Sequence, residues 1–370
     1  MNPSSRKSEL LCVLVLVFFA IGTLSFAGKP GKVEPGKVDH KALQATPIQL
    51  GTSGGSEIDL ANGYCCSGTL GALVRDKGGD LYILSNTHVF AGDSVAGDNK
   101  TTAHTGDVIQ HPGFVDTRCG QMTNIGVATL SNWCSIVPDG NTVVDAAIAK
   151  IEPGMVSEDG SILEIGTLSS STLAADLGLA VKKSGRTTGL TRSSISGLNA
   201  TISVIYSTEC VGASYTSTYT GQILIKNRRF LAGGDSGSLL VEDVAANPRA
   251  VGLLFAGSNT IAVANPINAV LTRLSVEMVG DTAGAAGGGI PGEEGLSRAE
   301  LARAIRLQEL NGRTLLQTAG AVGHAVGAAN GRAVIKILVE ELTPEALAGA
   351  PRQIDDVPVV VEAIGKVVAY

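Results

Sequence analysis

Short apolar runs separated by Gly, Asn, Asp and Ser dominate the pattern between residues 62 and 280. Examples are the runs GTLGALVR, DLYILSN, ATISVIY, GQILIK and AVGLLFAG. Many short strands joined by tight turns, with no long helices between them, are typical of an all-β sandwich or barrel. Because this stretch is too long for one small barrel, we expect two barrels, over residues 51–152 and 153–280.

The hydrophobic period changes beyond residue 280. Residues 281–296 are rich in Gly and Ala and predict a linker. The S-x-x-E motif at 297–300 is a capping box ahead of a helical run, and Asn-Gly at 330–331 predicts a hairpin turn between two β-like runs. We therefore expect residues 297–370 to form a separate small α+β domain.

The N-terminal segment has the pattern of an export signal. A charged start, an apolar run over 10–24 and a small-x-small triplet at 25–27 are typical of a signal peptide. The alternative is a membrane anchor, but at about 1.5 Å per residue this run is shorter than the ~30 Å core of a bilayer. We expect cleavage after Ala27, a flexible segment over 28–50, a secreted or periplasmic product and no stable membrane association afterwards.

Composition and charge narrow the possible partners. Hydrophobic residues make up 44% of the chain and charged residues only 17%, which excludes wholesale disorder. The 47 glycines fit a turn-rich β protein. A net charge of −6 argues against nucleic-acid binding, which needs a basic face. The oligomeric state stays open.

Cysteine usage predicts one disulfide. Removal of the leader leaves an odd number of cysteines, so at least one has no partner within the chain; they are Cys65, Cys66, Cys119, Cys134 and Cys210. Cys119 and Cys134 flank a plausible hairpin, and an exported protein meets an oxidising environment, so we expect this pair to be bonded. The absence of CxxC spacing predicts no metal site.

Three segments each place a reactive residue in or beside a predicted strand. His88 follows the strand in LYILSNTHVF, Asp145 is the first charge in NTVVDAAIAKI, and Ser236 lies on the glycine-rich turn of AGGDSGSLLV. A buried carboxylate needs hydrogen-bond donors, and an imidazole N–H is one. The imidazole's second nitrogen then accepts a serine proton, so the three residues predict a Ser-His-Asp triad.

The glycines around Ser236 predict an oxyanion hole. Gly234 allows a turn that aims its own N–H and that of Ser236 at one point. An α/β-hydrolase is disfavoured, because that fold needs a glycine two residues after the serine and a histidine further on. The first position is Ser238, and the only later histidine is His324, in the predicted C-terminal domain.

The blocks SNTHV, VVDAAIA and GDSGS resemble, in this order, the catalytic blocks of the chymotrypsin-like (trypsin-superfamily) serine proteases. The wider pattern (LGTSGG, CSGTLGALV, KSGRTTGLT) is similar to bacterial trypsin-like peptidases and plant narrow-leaf type proteins. The resemblance covers roughly residues 48–275. It implies two six-stranded β-barrels with the triad between them, with His88 as base, Asp145 as orienting carboxylate and Ser236 as nucleophile.

The chain also departs from that family. Val89 stands where many animal members carry a disulfide cysteine, and Phe255 stands where many relatives carry a serine that bonds the triad carboxylate. Asp145 therefore needs another donor. No counterpart of zymogen activation by a freed N-terminus is visible, so we expect no such switch.

Specificity is predicted from position alone. Phe230 matches the base of the primary pocket, and Leu254, Phe255 and Gly257 would line its wall. Without an acidic residue at the base, nothing neutralises a basic substrate side chain, which favours small or apolar ones. Arg186, in SGRTTG, either contacts substrate or holds a turn, and we favour the turn.

These observations predict a secreted serine endopeptidase that hydrolyses peptide bonds through an acyl-enzyme, with protein or peptide substrates and no cofactor. The rival hypotheses are a catalytically silent binding protein on a protease fold and an esterase for small acyl groups.

Overall fold

The computed structural model describes residues 38–61, 63–92, 101–120, 123–208, 210, 212–282 and 296–369. The predicted signal peptide lies outside these residues, as do positions 28–37 of the predicted flexible segment and 283–295 of the linker. Within the described ranges, no helix is long and apolar enough to cross a bilayer.

The elements of the first half lie between residues 52 and 151. In chain order they are β1 (Thr52–Ser56), β2 (Leu60–Ala61), β3 (Tyr64–Cys65), β4 (Gly68–Leu70), β5 (Ala72–Asp76), β6 (Leu81–Ser85), α1 (Thr87–Phe90), β7 (Val108–His111), β8 (Ile125–Trp133), β9 (Asn141–Thr142) and β10 (Ala147–Ile151).

The first barrel is one curled antiparallel sheet with the strand order β5-β6-β10-β8-β7-β1-β4. Only Gly71 separates β4 from β5. The two ends of this order are therefore parts of one bent segment, which brings the sheet back on itself. Cross-strand neighbours such as Leu73, Ile83, Ala149 and Leu130 form a buried row that fills the interior.

The elements of the second half follow. In chain order they are β11 (Ala180–Lys183), β12 (Thr191–Ser207), β13 (Ser214–Lys226), β14 (Leu239–Glu242), β15 (Ala250–Gly257), β16 (Ile261–Pro266), α2 (Ile267–Leu274), β17 (Val276–Met278), α3 (Arg298–Leu315), β18 (Ala321–Ala329), β19 (Arg332–Val339), α4 (Pro344–Gly349), β20 (Gln353–Ile354), β21 (Val357–Ala363) and β22 (Val368–Ala369).

The second barrel is a closed ring. Its strands run β12-β11-β14-β15-β16-β13, and β13 pairs again with β12, every pairing being antiparallel. Its interior holds apolar side chains such as Val181, Ile225, Leu240 and Leu254. Two barrels of six strands confirm the predicted chymotrypsin-like double β-barrel fold.

The segment after α2 returns to the first barrel. β17 pairs with β5, and Val279 N–H donates to the carbonyl of Leu73. The sequence assigned residues 153–280 to the second barrel alone. The short last strand of that range instead extends the sheet of the first barrel.

The C-terminal segment contains the expected helices and strands but shares a sheet with the second barrel. β18 pairs with β12, and β22 pairs with both β12 and β15. β12 is 17 residues long, so part of its edge lies beyond its pairing with β11 and is open to β18. Ile364 and Val367 are buried in one apolar cluster with Tyr206 of β12.

The predicted pairing of Cys119 with Cys134 is wrong. Cys119 is bonded to Cys65, with 5.6 Å between their Cα atoms. The hairpin joins β7 to β8, and Cys119 lies in the connection between these strands. Cys134 follows the far end of β8, a strand about 30 Å long at ~3.4 Å per residue. Because Cys119 is already bonded to Cys65, Cys134 keeps a free thiol.

Candidate active site

His88 and Asp145 form a hydrogen-bonded pair in the first barrel. The one-turn helix α1 carries His88 out of β6, and Asp145 lies just before β10, which pairs with β6. His88 Nδ1 lies 2.5 Å from Asp145 Oδ2, and the Asp145 side chain is fully buried. Because a carboxylate only accepts, the proton is on Nδ1 and Nε2 is the basic nitrogen.

Two asparagines fix the Asp145 backbone. Asn265 accepts from the Asp145 N–H at 3.2 Å and donates to its carbonyl at 3.1 Å. Asn86 donates to the same carbonyl at 2.8 Å. Asn86 belongs to the first barrel and Asn265 to β16 of the second, so both barrels hold the carboxylate in place.

Tyr206 supplies the donor that the sequence left open at Asp145. Its hydroxyl lies 2.9 Å from Asp145 Oδ2, and the backbone N–H of His88 lies 3.3 Å from Oδ1. Sequence reasoning missed Tyr206. The available signal was its position on the same inward face of β12 as Ile202 and Val204. A buried tyrosine there needs a polar partner for its hydroxyl.

A second tyrosine supports the first. The hydroxyls of Tyr219 and Tyr206 are 2.7 Å apart, and since Tyr206 donates to Asp145, Tyr219 donates to Tyr206. Burial raises the pKa of both phenols, so both stay protonated. The ring of Phe255 packs 4.8 Å from that of Tyr219. Phe255 has no hydroxyl to bond Asp145. It packs instead against Tyr219, which supports the Tyr206 hydroxyl that bonds this carboxylate.

Ser236 lies on a tight turn between two glycines with positive φ. Gly234 and Gly237 both have φ of +90°, a conformation that disfavours any other residue. Ser236 Oγ donates to the carbonyl of Phe255 at 3.1 Å. Among the described groups, neither the Gly234 nor the Ser236 N–H donates to a protein acceptor. These two amides are thus available for an oxyanion.

The first barrel holds this turn through Thr69. Its N–H donates to the Ser236 carbonyl at 2.8 Å, and its hydroxyl donates to the Gly234 carbonyl at 2.9 Å. Val89, next in sequence to His88, and the Ser236 turn both pack against Gly68, since a Cβ there would meet Val89 Cγ2 at 2.6 Å and the Ser236 carbonyl oxygen at 2.9 Å.

The side chain of Asp235 organises the turn from inside the second barrel. Its carboxylate accepts from the backbone N–H groups of Thr187, Thr188 and Ala232 at 2.8–3.1 Å. Lys183 Nζ lies 3.1 Å from Oδ2, and both side chains are fully buried. Burial lowers the pKa of Lys183, and the charge of Asp235 offsets this only in part. Sequence reasoning missed this ion pair.

Arg186 has the structural role that the sequence favoured. Its guanidinium makes two hydrogen bonds to Asp116, at 2.7 and 2.6 Å, and a third to Thr187. Asp116 belongs to the first barrel and Arg186 to the second, so this pair also joins the two barrels beside Gly234.

The residues expected to line a specificity pocket divide between two clusters. Phe230 and Leu254 are fully buried together inside the second barrel. Phe255 faces the opposite side of β15 and packs with Tyr206 and Tyr219. Gly257 lies at the end of β15, where it pairs with Val368 of β22.

Comparison with known proteins gives distant likenesses only. No family model matches the chain, and no curated protein matches it. A solved glutamic-acid-specific serine protease is 19% identical with a TM-score of 0.41, over 62% of this chain and 100% of its own. Thermobifida fusca protease A is 20% identical with a TM-score of 0.41, over 63% and 99%. Cellulomonas bogoriensis chymotrypsin is 20% identical with a TM-score of 0.38, over 63% and 99%.

Proposed function

We propose that this chain is a serine endopeptidase with Ser236 as nucleophile, His88 as general base and Asp145 as the group that orients the imidazole. The observation that carries the proposal is the 2.5 Å hydrogen bond from His88 Nδ1 to the fully buried Asp145. It sets the imidazole tautomer that acts as a base. The turn around Ser236 adds the backbone N–H groups of Gly234 and Ser236, which are available to bind an oxyanion.

The reaction begins when the Ser236 hydroxyl turns from the carbonyl of Phe255 to Nε2 of His88. Nε2 takes the proton as Oγ attacks the peptide carbonyl, and Asp145 stabilises the imidazolium. The amides of Gly234 and Ser236 bind the oxyanion, at typically ~3 kcal/mol per donor. His88 then protonates the leaving amine, and water releases the acyl group by the same route.

Labelling with a fluorophosphonate probe tests this proposal. We expect the mature chain to be labelled, and Ser236→Ala and His88→Ala to lose labelling, with turnover of a peptide substrate falling by about 10⁶-fold. The exposed His104 gives a matched control, since His104→Ala should label normally. A folded wild-type chain that does not label would contradict the proposal and favour a silent binding protein.

Cleavage of peptides distinguishes this function from an esterase. An endopeptidase cuts within a folded or denatured protein substrate, whereas an esterase labels with the probe yet leaves peptide bonds intact. For side-chain preference, we propose small or apolar residues before the scissile bond, since the sequence position that matches the base of the primary pocket carries no acidic residue. Dominant cleavage after Lys or Arg in a peptide library would contradict this preference.

We further propose that the protein acts outside the cytoplasm, with residues 1–27 as a cleaved signal peptide. Expression of the full chain followed by N-terminal sequencing of the exported product tests this. The expected first residue is Gly28. An intact Met1 on a cytoplasmic product would contradict it.

A further inference from the structure

Three side chains outside the triad converge beside His88. Their donor atoms, one each from Asp59, Cys66 and Cys210, all lie within 4.8 Å of one another. Asp59 is 4% exposed, whereas both cysteines are partly exposed and carry free thiols. Burial raises the pKa of Asp59 to about 6, and the hydrogen bond from Cys210 lowers it in part.

The two cysteines come from different barrels. Cys66 lies just before β4 of the first barrel, and Cys210 lies in the connection from β12 to β13 of the second. Asp59 holds both segments: its backbone carbonyl accepts from the N–H of Cys66 at 3.3 Å, and its carboxylate accepts from Cys210 Sγ at 3.0 Å. The close approach of the two sulfur atoms therefore depends on how the barrels are packed.

We propose that Cys66 and Cys210 form a second disulfide, which joins the two barrels beside His88. Cys65, next in sequence to Cys66, is already bonded to Cys119. Disulfides form and persist in oxidising environments such as the one that the proposed export implies. Two further partly exposed thiols that face each other are oxidised there in the same way.

The oxidant is an external disulfide, such as oxidised glutathione or a disulfide-bonded oxidoreductase, and it is reduced to two thiols. The thiolate of Cys66 attacks that disulfide and releases one thiol. The sulfur of Cys210 then attacks the mixed disulfide, releases the second thiol and forms the Cys66–Cys210 bond. The proton of Cys210 passes to the Asp59 carboxylate, which already accepts it, and from there to water. Two electrons move from the cysteines to the oxidant.

The bond would fix the end of β12 nearest to Tyr206. It closes a long loop between residues distant in sequence, and such cross-links lower the entropy of the unfolded chain. We expect its loss to lower the Tm by about 5 °C. This outcome depends on the cysteines and not on peptidase activity, so it can fail while the proposed function stands.

Thiol mapping of the full exported chain tests the proposal. The protein is equilibrated in a glutathione buffer oxidising enough to protect Cys119, then denatured and alkylated with iodoacetamide. We expect one alkylated position in the mature chain, Cys134. Cys210→Ser should add Cys66 as a second alkylated position, and the control Cys134→Ser should leave none. Because Cys65 and Cys66 are adjacent, Cys119→Ser assigns the pairing, and we expect it to add Cys65, and not Cys66, to the alkylated Cys134.

Two results would overturn the proposal. One is alkylation of both Cys66 and Cys210 in wild-type protein whose Cys119 is protected. The other is one equivalent of zinc in the purified chain that, on removal by a chelator, exposes both thiols, because the same three donors would then be metal ligands.

Discussion

The hydroxyl of Tyr206 donates to Oδ2 of Asp145 at 2.9 Å, and the same oxygen accepts from His88 Nδ1. A residue of the second barrel thus completes the environment of a carboxylate in the first. Tyr206 is buried among Tyr219, Phe255 and side chains of the C-terminal segment. The geometry of the His88–Asp145 pair therefore depends on packing that includes the C-terminal segment.

Tyr206→Phe should weaken the positioning of the Asp145 carboxylate against His88. A hydrogen bond to a charged group is worth about 1.5–3 kcal/mol, so we expect kcat/KM to fall about 10-fold or more. Loss of the donor also makes Asp145 a better partner for the imidazolium, which moves the acidic limb of the pH–rate profile upward. The control is Tyr215→Phe, which keeps the ring stacked on Tyr206 and both Tyr206 hydrogen bonds. An unmoved pH profile in Tyr206→Phe would show that the hydroxyl is only structural.

Ile364→Ala should destabilise the second barrel as well as the C-terminal segment. Ile364 is 1% exposed in the cluster that contains Tyr206, and deletion of such a side chain costs about 2–5 kcal/mol. Urea unfolding monitored by probe labelling and by circular dichroism should give one shared transition at lower urea. The control Leu347→Ala, at a side chain 55% exposed, should change stability by less than about 0.5 kcal/mol. An early transition that leaves labelling intact would mean that the segment folds independently.

The double barrel was predictable because most of its strands are short and their turns carry Gly, Asn and Asp. His88, Asp145 and Ser236 could be proposed because each stands out locally, as a histidine at a strand exit, a charge in an apolar strand or a serine between glycines. The structure places the first two in direct contact and the third on a turn held by Thr69.

The supporting residues could not be predicted, because their partners are distant in sequence. Tyr206 lies 61 residues from Asp145. Its place on the inward face of β12 indicates that it needs a polar partner, but nothing local identifies that partner as Asp145. The adjacent Lys182 and Lys183 look alike in sequence, and only the facing of β11 determines which one pairs with Asp235. The Cys65–Cys119 bond spans 54 residues and depends on how the hairpin connection folds back.

Lys183→Met should disable the turn that carries Ser236. It removes the cation from a fully buried pair and leaves the Asp235 carboxylate uncompensated, which costs about 3–5 kcal/mol. We expect fluorophosphonate labelling to be lost at a temperature where circular dichroism shows the variant folded. Lys182→Met is the matched control, because Lys182 points to the other face of β11 and donates to the carbonyl of Val244. A folded Lys183→Met protein that labels at the wild-type rate would contradict a role in holding the turn.

His324 should make the protein sensitive to acid. Burial lowers its pKa to about 4, and Gln308 Nε2 donates to Nδ1, so the folded protein holds the neutral ring. The unfolded chain takes up a proton below its ordinary pKa of about 6.5, which favours unfolding. The free energy of unfolding should therefore fall as the pH drops from about 6.5 to 4. His324 contributes at most about 1.4 kcal/mol per pH unit to this fall. Above pH 6.5 its contribution should not change.

The variant His324→Asn keeps an acceptor for Gln308 and removes the titration. Urea unfolding between pH 4 and 8 should show a flatter dependence for this variant than for the wild type. The exposed His104 serves as the control, since His104→Asn should leave the slope unchanged. Equal slopes for the wild type and His324→Asn would mean that another group causes the acid sensitivity.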